Sequence, residues 1–84
     1  GLGYDISLVS RNRDGVTRLT ARATNLATSQ GISLAEIMSS VAAQIGGEGG
    51  GHDGAAGWSG KADMITAESS FISHVAKIPR SSDR

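Results

Sequence analysis

Polar and apolar residues alternate from Tyr4 to Arg11 (Tyr-Asp-Ile-Ser-Leu-Val-Ser-Arg), which predicts a strand over about 4–11. Asn12-Arg13-Asp14-Gly15 follows, and Asp-Gly between two alternating runs signals a hairpin. The return strand is expected over about 16–24. If Asp14-Gly15 is a two-residue turn, Leu8 stands opposite Ala21 and Ile6 opposite Ala23. A four-residue loop would set Leu8 opposite Leu19 instead. In both registers Tyr4, Ile6, Leu8, Leu19, Ala21 and Ala23 share one face, and Asp5, Ser7, Val9, Arg11, Arg18, Thr20 and Arg22 the other.

The pattern then changes period. After a connection over 25–32, broken at Gly31, Ser33-Leu34-Ala35-Glu36 has the form of a capping box. Leu34, Ile37, Met38, Val41, Ala42 and Ile45 follow at helical spacing, predicting an amphipathic helix over about 34–45, stopped by Gly46-Gly47. Met38 reads as core, and Ser39, Ser40 and Gln44 as the wet face. A glycine-rich stretch leads into a strand over about 55–62, with Trp58 as a packing anchor. Thr66 is expected to cap a second helix over about 67–78, burying Phe71, Ile72, Val75 and Ile78, with His74 on its flank. Pro79 ends it and 79–84 is tail. The predicted fold is α/β (α+β): a three-stranded mixed sheet in the order hairpin, helix, strand, helix, forming one domain over 1–84 without internal repeat.

Composition narrows this picture. A chain of 84 residues supports one small core. With no cysteine, disulfides and thiolate zinc sites are excluded. No apolar run is long enough for a membrane helix, and no leader pattern is seen; the expected location is cytoplasmic. Gly1 in place of Met leads us to expect a processed or excised chain. The net charge is zero but uneven: residues 1–32 hold four arginines against Asp5 and Asp14, and the remainder is net acidic. This is no broad basic footprint, yet it allows a local anion site.

The candidate chemistry lies in Gly46-Gly47-Glu48-Gly49-Gly50-Gly51-His52-Asp53-Gly54-Ala55-Ala56-Gly57. Two readings are open for it. One is a flexible linker. The other is a phosphate-binding loop, in which glycine backbone approaches a ligand closely, N–H groups form a concave anion site and His52 adds a donor. The closing His-Asp-Gly-Ala-Ala-Gly is unlike linker composition. Arg11, Arg18 and Arg22 also have two readings, a solvated outer face or forks for phosphate oxygens. Arg22 is set apart by its place at the strand end far from the hairpin turn. Known patterns fail here. Gly60-Lys61 is followed by Ala62 and preceded at the required position by Ala55, so no Walker loop is present. Gly49-x-Gly51-x-x-Gly54 fits the dinucleotide spacing but follows a helix instead of a strand. No metal-ligand spacing or nucleophile signature is legible.

Gly49-Gly50-Gly51-His52 followed by Ala55-Ala56-Gly57 resembles the Gly-Gly-Gly-His signature of the DHHA1 domain, the carboxy-terminal substrate-binding domain of DHH-family phosphoesterases. The longer run from Gly46 is most similar to the archaeal RecJ-like branch. Thr20-Ala21-Arg22 resembles that branch's Ser-x-Arg element, with threonine for serine. The resemblance covers roughly residues 4 to 78, and with it the binding reading of the glycine stretch prevails. His52 stands where the related alanyl-tRNA synthetase domain has arginine, which favours the phosphoesterase side.

The resemblance implies a parent enzyme that hydrolyses phosphodiesters of single-stranded nucleic acid or a small phosphoester. Its divalent ions, manganese foremost, belong to a separate catalytic domain that carries the Asp-His-His motif. None of that motif is in this chain, and the first half of a typical DHHA1 domain is also expected to be missing. This chain alone would therefore bind but not cleave. By resemblance, Gly49, Gly50 and Gly51 would hold a phosphate, His52 would bond an oxygen near the scissile bond, Arg22 would contact a phosphate and Thr20 would assist. The alternative is a non-catalytic module that docks protein or tRNA partners; RecJ-like proteins associate with the replicative GINS complex. Pairing of two copies through an uncovered sheet edge is a further expectation.

Overall fold

The computed structural model describes residues 6–78. Tyr4 and Asp5, expected at the start of the first strand, and Pro79 with the tail to Arg84 lie outside the described residues. The chain opens on a hairpin of β1 (Ile6–Arg13) and β2 (Val16–Ala23). Asp14 (φ 54°) and Gly15 (φ 79°) are both left-handed, the conformation of a two-residue turn that follows strand twist. The shorter-turn register is the one formed, with Ile6 opposite Ala23 and Leu8 opposite Ala21.

The connection expected over 25–32 contains a short helix, α1 (Asn25–Ser29). Thr24 caps it by accepting from the Ala27 amide at 3.2 Å, and Ala27 and Ile32 are buried. Five residues leave no room for an apolar stripe, so only the cap could have announced it. α2 (Leu34–Ile45) has the expected bounds. The Ser33 hydroxyl accepts from the Glu36 amide at 3.3 Å, and Leu34, Ile37, Met38 and Val41 are buried.

The glycine stretch is not a loop. It contains an edge strand, β3 (Glu48–His52), turned by Asp53-Gly54 into β4 (Ala55–Gly60). The sheet thus has four strands, ordered β1-β2-β4-β3, instead of three. Every pairing is antiparallel, not mixed. The extra strand is the cause. A direct crossover from β2 through α2 to β4 would give parallel neighbours, whereas β3 reverses the chain once more before β4 meets β2. Glu-Gly-Gly-Gly-His has almost no strand propensity of its own. Pairing with β4 on one side and close packing of α2 on the other impose it: a Cβ on Gly49 would stand 2.1 Å from the Met38 carbonyl oxygen.

The last helix, α3 (Met64–Ala76), starts before the expected Ala67. Asp63, not Thr66, is its cap, and its Oδ1 accepts from the Thr66 amide at 2.7 Å. The earlier start places Ala67, Ser70, Phe71 and Val75 inward, while Ile72, expected in the core, is 55% exposed. The buried Ser70 hydroxyl donates to Gln44 at 2.5 Å, joining α3 to α2. Ser10 donates to Glu68, joining β1 to α3. His74 lies with Nδ1 2.8 Å from the Ser70 carbonyl, a bond within its own helix.

α2 and α3 pack on one face of the sheet. That face supplies Leu19, Ala21, Ala56 and Trp58 to the core. Trp58 is 2% exposed, and its Nε1 donates to the Gly46 carbonyl at 2.8 Å, so it is the packing anchor expected of it. Among the described residues no helix covers the opposite face, and none is long and apolar enough to cross a membrane.

Candidate functional site

Residues directly opposed in antiparallel strands share a face, so the register sets out the open face row by row. Arg22 is opposite Ala55, and Ala55 is opposite His52. One strand spacing to either side puts the Arg22 and His52 backbones about 10 Å apart, with only a methyl group between them. The next row is Val9, Thr20, Gly57 and Gly50; the one after is Arg11, Arg18, Ser59 and Glu48. Arg22, His52 and Thr20 are exposed. The structure therefore brings Arg22, Thr20, Gly50 and His52 together on one surface, although the chain separates Arg22 from His52 by a helix pair and a strand.

The three glycines of the signature differ. Gly49 faces inward opposite Trp58, and Gly51, itself exposed, stands opposite Ala56. A Cβ at Gly49 would strike α2, and Gly51 has φ 138° with Ala56 atoms 2.6 and 2.8 Å from a Cβ position. Both are required by the fold. Gly50 faces outward, where a Cβ would meet nothing within 4 Å. No contact within the domain explains glycine there. With Gly57 beside it, it floors a depression of about 380 Å³ whose rim includes Arg18, Thr20, Glu48 and Ser59. Successive N–H groups in a strand point in opposite directions. What this stretch offers a ligand is bare backbone along β3, not three convergent donors.

The turn that follows His52 is held by its neighbours. The Ser33 hydroxyl that caps α2 also donates to Asp53 Oδ1 at 2.7 Å. The Leu34 amide donates to the Asp53 carbonyl at 2.9 Å, and the Ala23 amide to the Gly54 carbonyl at 2.9 Å. The turn after His52 is thus tied to α2 and to the end of β2, one residue beyond Arg22. His52, Asp53 and Gly54 line a second open depression with Asn25, Thr28 and Ser29 of α1. Ala55 and Gly57 were noted in sequence only as part of the signature, not as the centre of this surface, and the Asp53 brace was not foreseen. The available signal was the small size of every outward residue of β4, Ala55, Gly57 and Ser59, against the larger Trp58 facing inward.

The divalent ions that the resemblance implies belong to another domain; Asp53, the carboxylate next to His52, accepts from Ser33 through Oδ1, and among the described residues no group of three His, Asp or Glu side chains stands together. The dinucleotide spacing is also out of place, because Gly54 is followed by β4 and not by a helix.

No curated protein matches the chain. The family model of the DHHA1 domain matches residues 2–78, a span that contains the whole sheet, all three helices and the Arg22–Ala55–His52 row. A DHHA1 domain fits a substrate-binding accessory module of DHH-family proteins, and the chain belongs to the DHHA1 domain family.

Proposed function

We propose that the open face binds phosphate groups of the substrate of a DHH-family phosphoesterase, of the single-strand exonuclease type most similar to the archaeal RecJ-like branch. The Arg22–Ala55–His52 row carries this reading. It sets a permanently charged guanidinium and an imidazole donor on one surface, with a methyl group and bare glycine backbone giving a ligand room to lie flat. Arg22 takes a phosphate by a charge-assisted fork. His52 donates to an oxygen near the scissile bond, where negative charge develops in the transition state. Thr20 adds a hydroxyl from the adjacent row. Phosphate contacts carry no base code, so binding is independent of sequence. The catalytic domain and its divalent ions lie outside this chain in this reading, and the protein works in the cytoplasm.

The test is a titration of the protein with inorganic phosphate and short oligonucleotides, followed through amide NMR shifts. Shifts gathered at Gly50, His52 and Arg22 support the clamp. Shifts confined to α3 would replace it with the docking reading, which one observation favours: Ile65 (77% exposed) and Ile72 (55% exposed) stand two turns apart on the outer side of α3. In that reading a protein partner, such as a replication complex of the GINS kind, covers the helix, and substitution of His52 leaves its binding intact.

A further inference from the structure

The hairpin end of the open face repeats the chemistry of the Arg22 row at a distance. Arg11 and Arg18 are direct cross-strand partners, both exposed. Arg13 is two residues along β1 on the same face. With Asp14 and Val16 these three arginines line a depression of about 460 Å³. Like charges directly opposite in a sheet repel. Within this row the neighbour on β4 is the uncharged Ser59, and a carboxylate appears only at Glu48, on the far strand. Asp14 at the turn adds one carboxylate to the depression, which three arginines still leave net positive, and an anion seated between the two guanidinium groups offsets their repulsion.

Spacing identifies the anion. Arg18 and Arg22 lie four residues apart on one face of β2, about 13 Å, which is longer than one step between neighbouring phosphates of a nucleic-acid strand. The row between them is uncharged: Val9, 55% exposed, then Thr20, Gly57 and Gly50. The glycine-floored depression runs up to Arg18. The face therefore alternates charged, neutral and charged rows, matching a chain whose phosphates are separated by nucleosides.

We propose that Arg11, Arg13 and Arg18 form a second phosphate site, and that the domain takes a single-stranded oligonucleotide lying along β2, not a mononucleotide or a small phosphoester. This rests on the reading of Arg22 and His52 as the clamp at the other end.

The experiment uses the protein that carries this domain, with divalent ions chelated, and oligo-dT of two, four and six nucleotides read by fluorescence anisotropy. The wild type is expected to bind the hexamer at least tenfold more tightly than the dimer. The double variant Arg11→Gln/Arg13→Gln, which leaves the rim residue Arg18 in place, is expected to bind the dimer like wild type and lose the gain with length. Its salt dependence for the hexamer falls by about 0.7 in log–log slope for each phosphate that is no longer neutralised. Its melting temperature is expected to equal or exceed that of wild type, because a repulsive pair is removed. A retained gain with length, an equal loss at every length, or a lowered melting temperature overturns the second site. Arg22→Gln separates the two readings. Weakening at every length upholds the clamp whatever the hairpin variant does. No effect of Arg22→Gln removes the clamp, even where the hairpin variant flattens the length dependence. A wild type that binds no oligonucleotide overturns both, and oligo-U in parallel distinguishes RNA from DNA as the source of the backbone.

Discussion

Arg22 and His52 flank the same residue: each stands directly opposite Ala55, one from β2 and one from β3. Neither reaches the other through the chain; β4 alone sets their separation. A permanently charged fork and a titratable donor thus face a common patch whose centre is a methyl group, and each side chain can be tested with little disturbance of the core.

His52→Ala is expected to lower turnover of the phosphoesterase that carries this domain by about 10²-fold, the usual cost of removing one donor to a developing oxyanion. His52 is exposed at the end of an edge strand, so the melting temperature should stay unchanged. Steady-state kinetics beside thermal melts check this; wild-type turnover in the folded variant would take His52 out of the site.

Arg22→Ala should act on affinity before turnover. A hydrogen bond to a charged group contributes about 1.5–3 kcal/mol, so the dissociation constant for a phosphate-bearing ligand should rise roughly tenfold or more. Isothermal titration measures it. A fall in melting temperature with unchanged affinity would make Arg22 a structural residue.

The pair Gly49→Ala and Gly50→Ala separates fold from ligand contact within one run of identical residues. At Gly49 the new methyl group collides with the Met38 carbonyl, and overpacking against backbone should cost about 1–3 kcal/mol or more, lowering the melting temperature by about 5 °C or more. At Gly50 the methyl group has open space, so stability should hold or rise slightly while ligand affinity drops. Equal melting temperatures for the two variants would contradict the placement of β3 against α2.

Asp63 makes a pH prediction. The Thr66 backbone amide, and then the Thr66 side chain, hold its carboxyl below the ordinary 3.8. The folded state thus prefers the carboxylate. The stabilisation is present above the unfolded value and is lost as the pH falls through the lower folded value. Asp63→Asn keeps a capping oxygen but carries no charge to titrate. Melting curves from about pH 6 down to about pH 3 should show the gap between wild type and variant shrinking on acidification; a constant gap would mean that the cap is insensitive to charge.

The hairpin and its two faces were legible because Ile6 and Leu8 alternate with polar residues, while of the two registers left open the structure forms the one with the two-residue turn at Asp14-Gly15. α2 was legible through Ser33, Glu36 and a continuous apolar stripe. β3 was not, because nothing in Glu-Gly-Gly-Gly-His prefers extended backbone. Its conformation comes from Met38 on one side and β4 on the other, and without it neither the strand count nor the antiparallel order could follow. The start of α3 was misplaced because Asp63 and Thr66 are both competent caps, and only geometry shows which amide is bonded. The candidate residues Thr20 and Arg22 were visible together on one strand face, and His52 apart from them. Their common surface appears only once β4 lies between β2 and β3. The difference between Gly49 and Gly50 is one of facing, which identical letters cannot carry.

The close approach of Gly49 to the Met38 carbonyl has a consequence for genetics as well as for packing. Met38 is fully buried, and Gly49 lies three residues before His52 on the same strand. A substitution that swells or empties the core at Met38 moves the helix backbone, and the helix backbone is what β3 rests on. Such a change would displace the histidine without touching any surface residue. In a mutational scan, loss-of-function positions should therefore trace a line from the interior at Met38 through Gly49 to His52, and the buried end of that line would be mistaken for a catalytic defect unless protein abundance were scored alongside it.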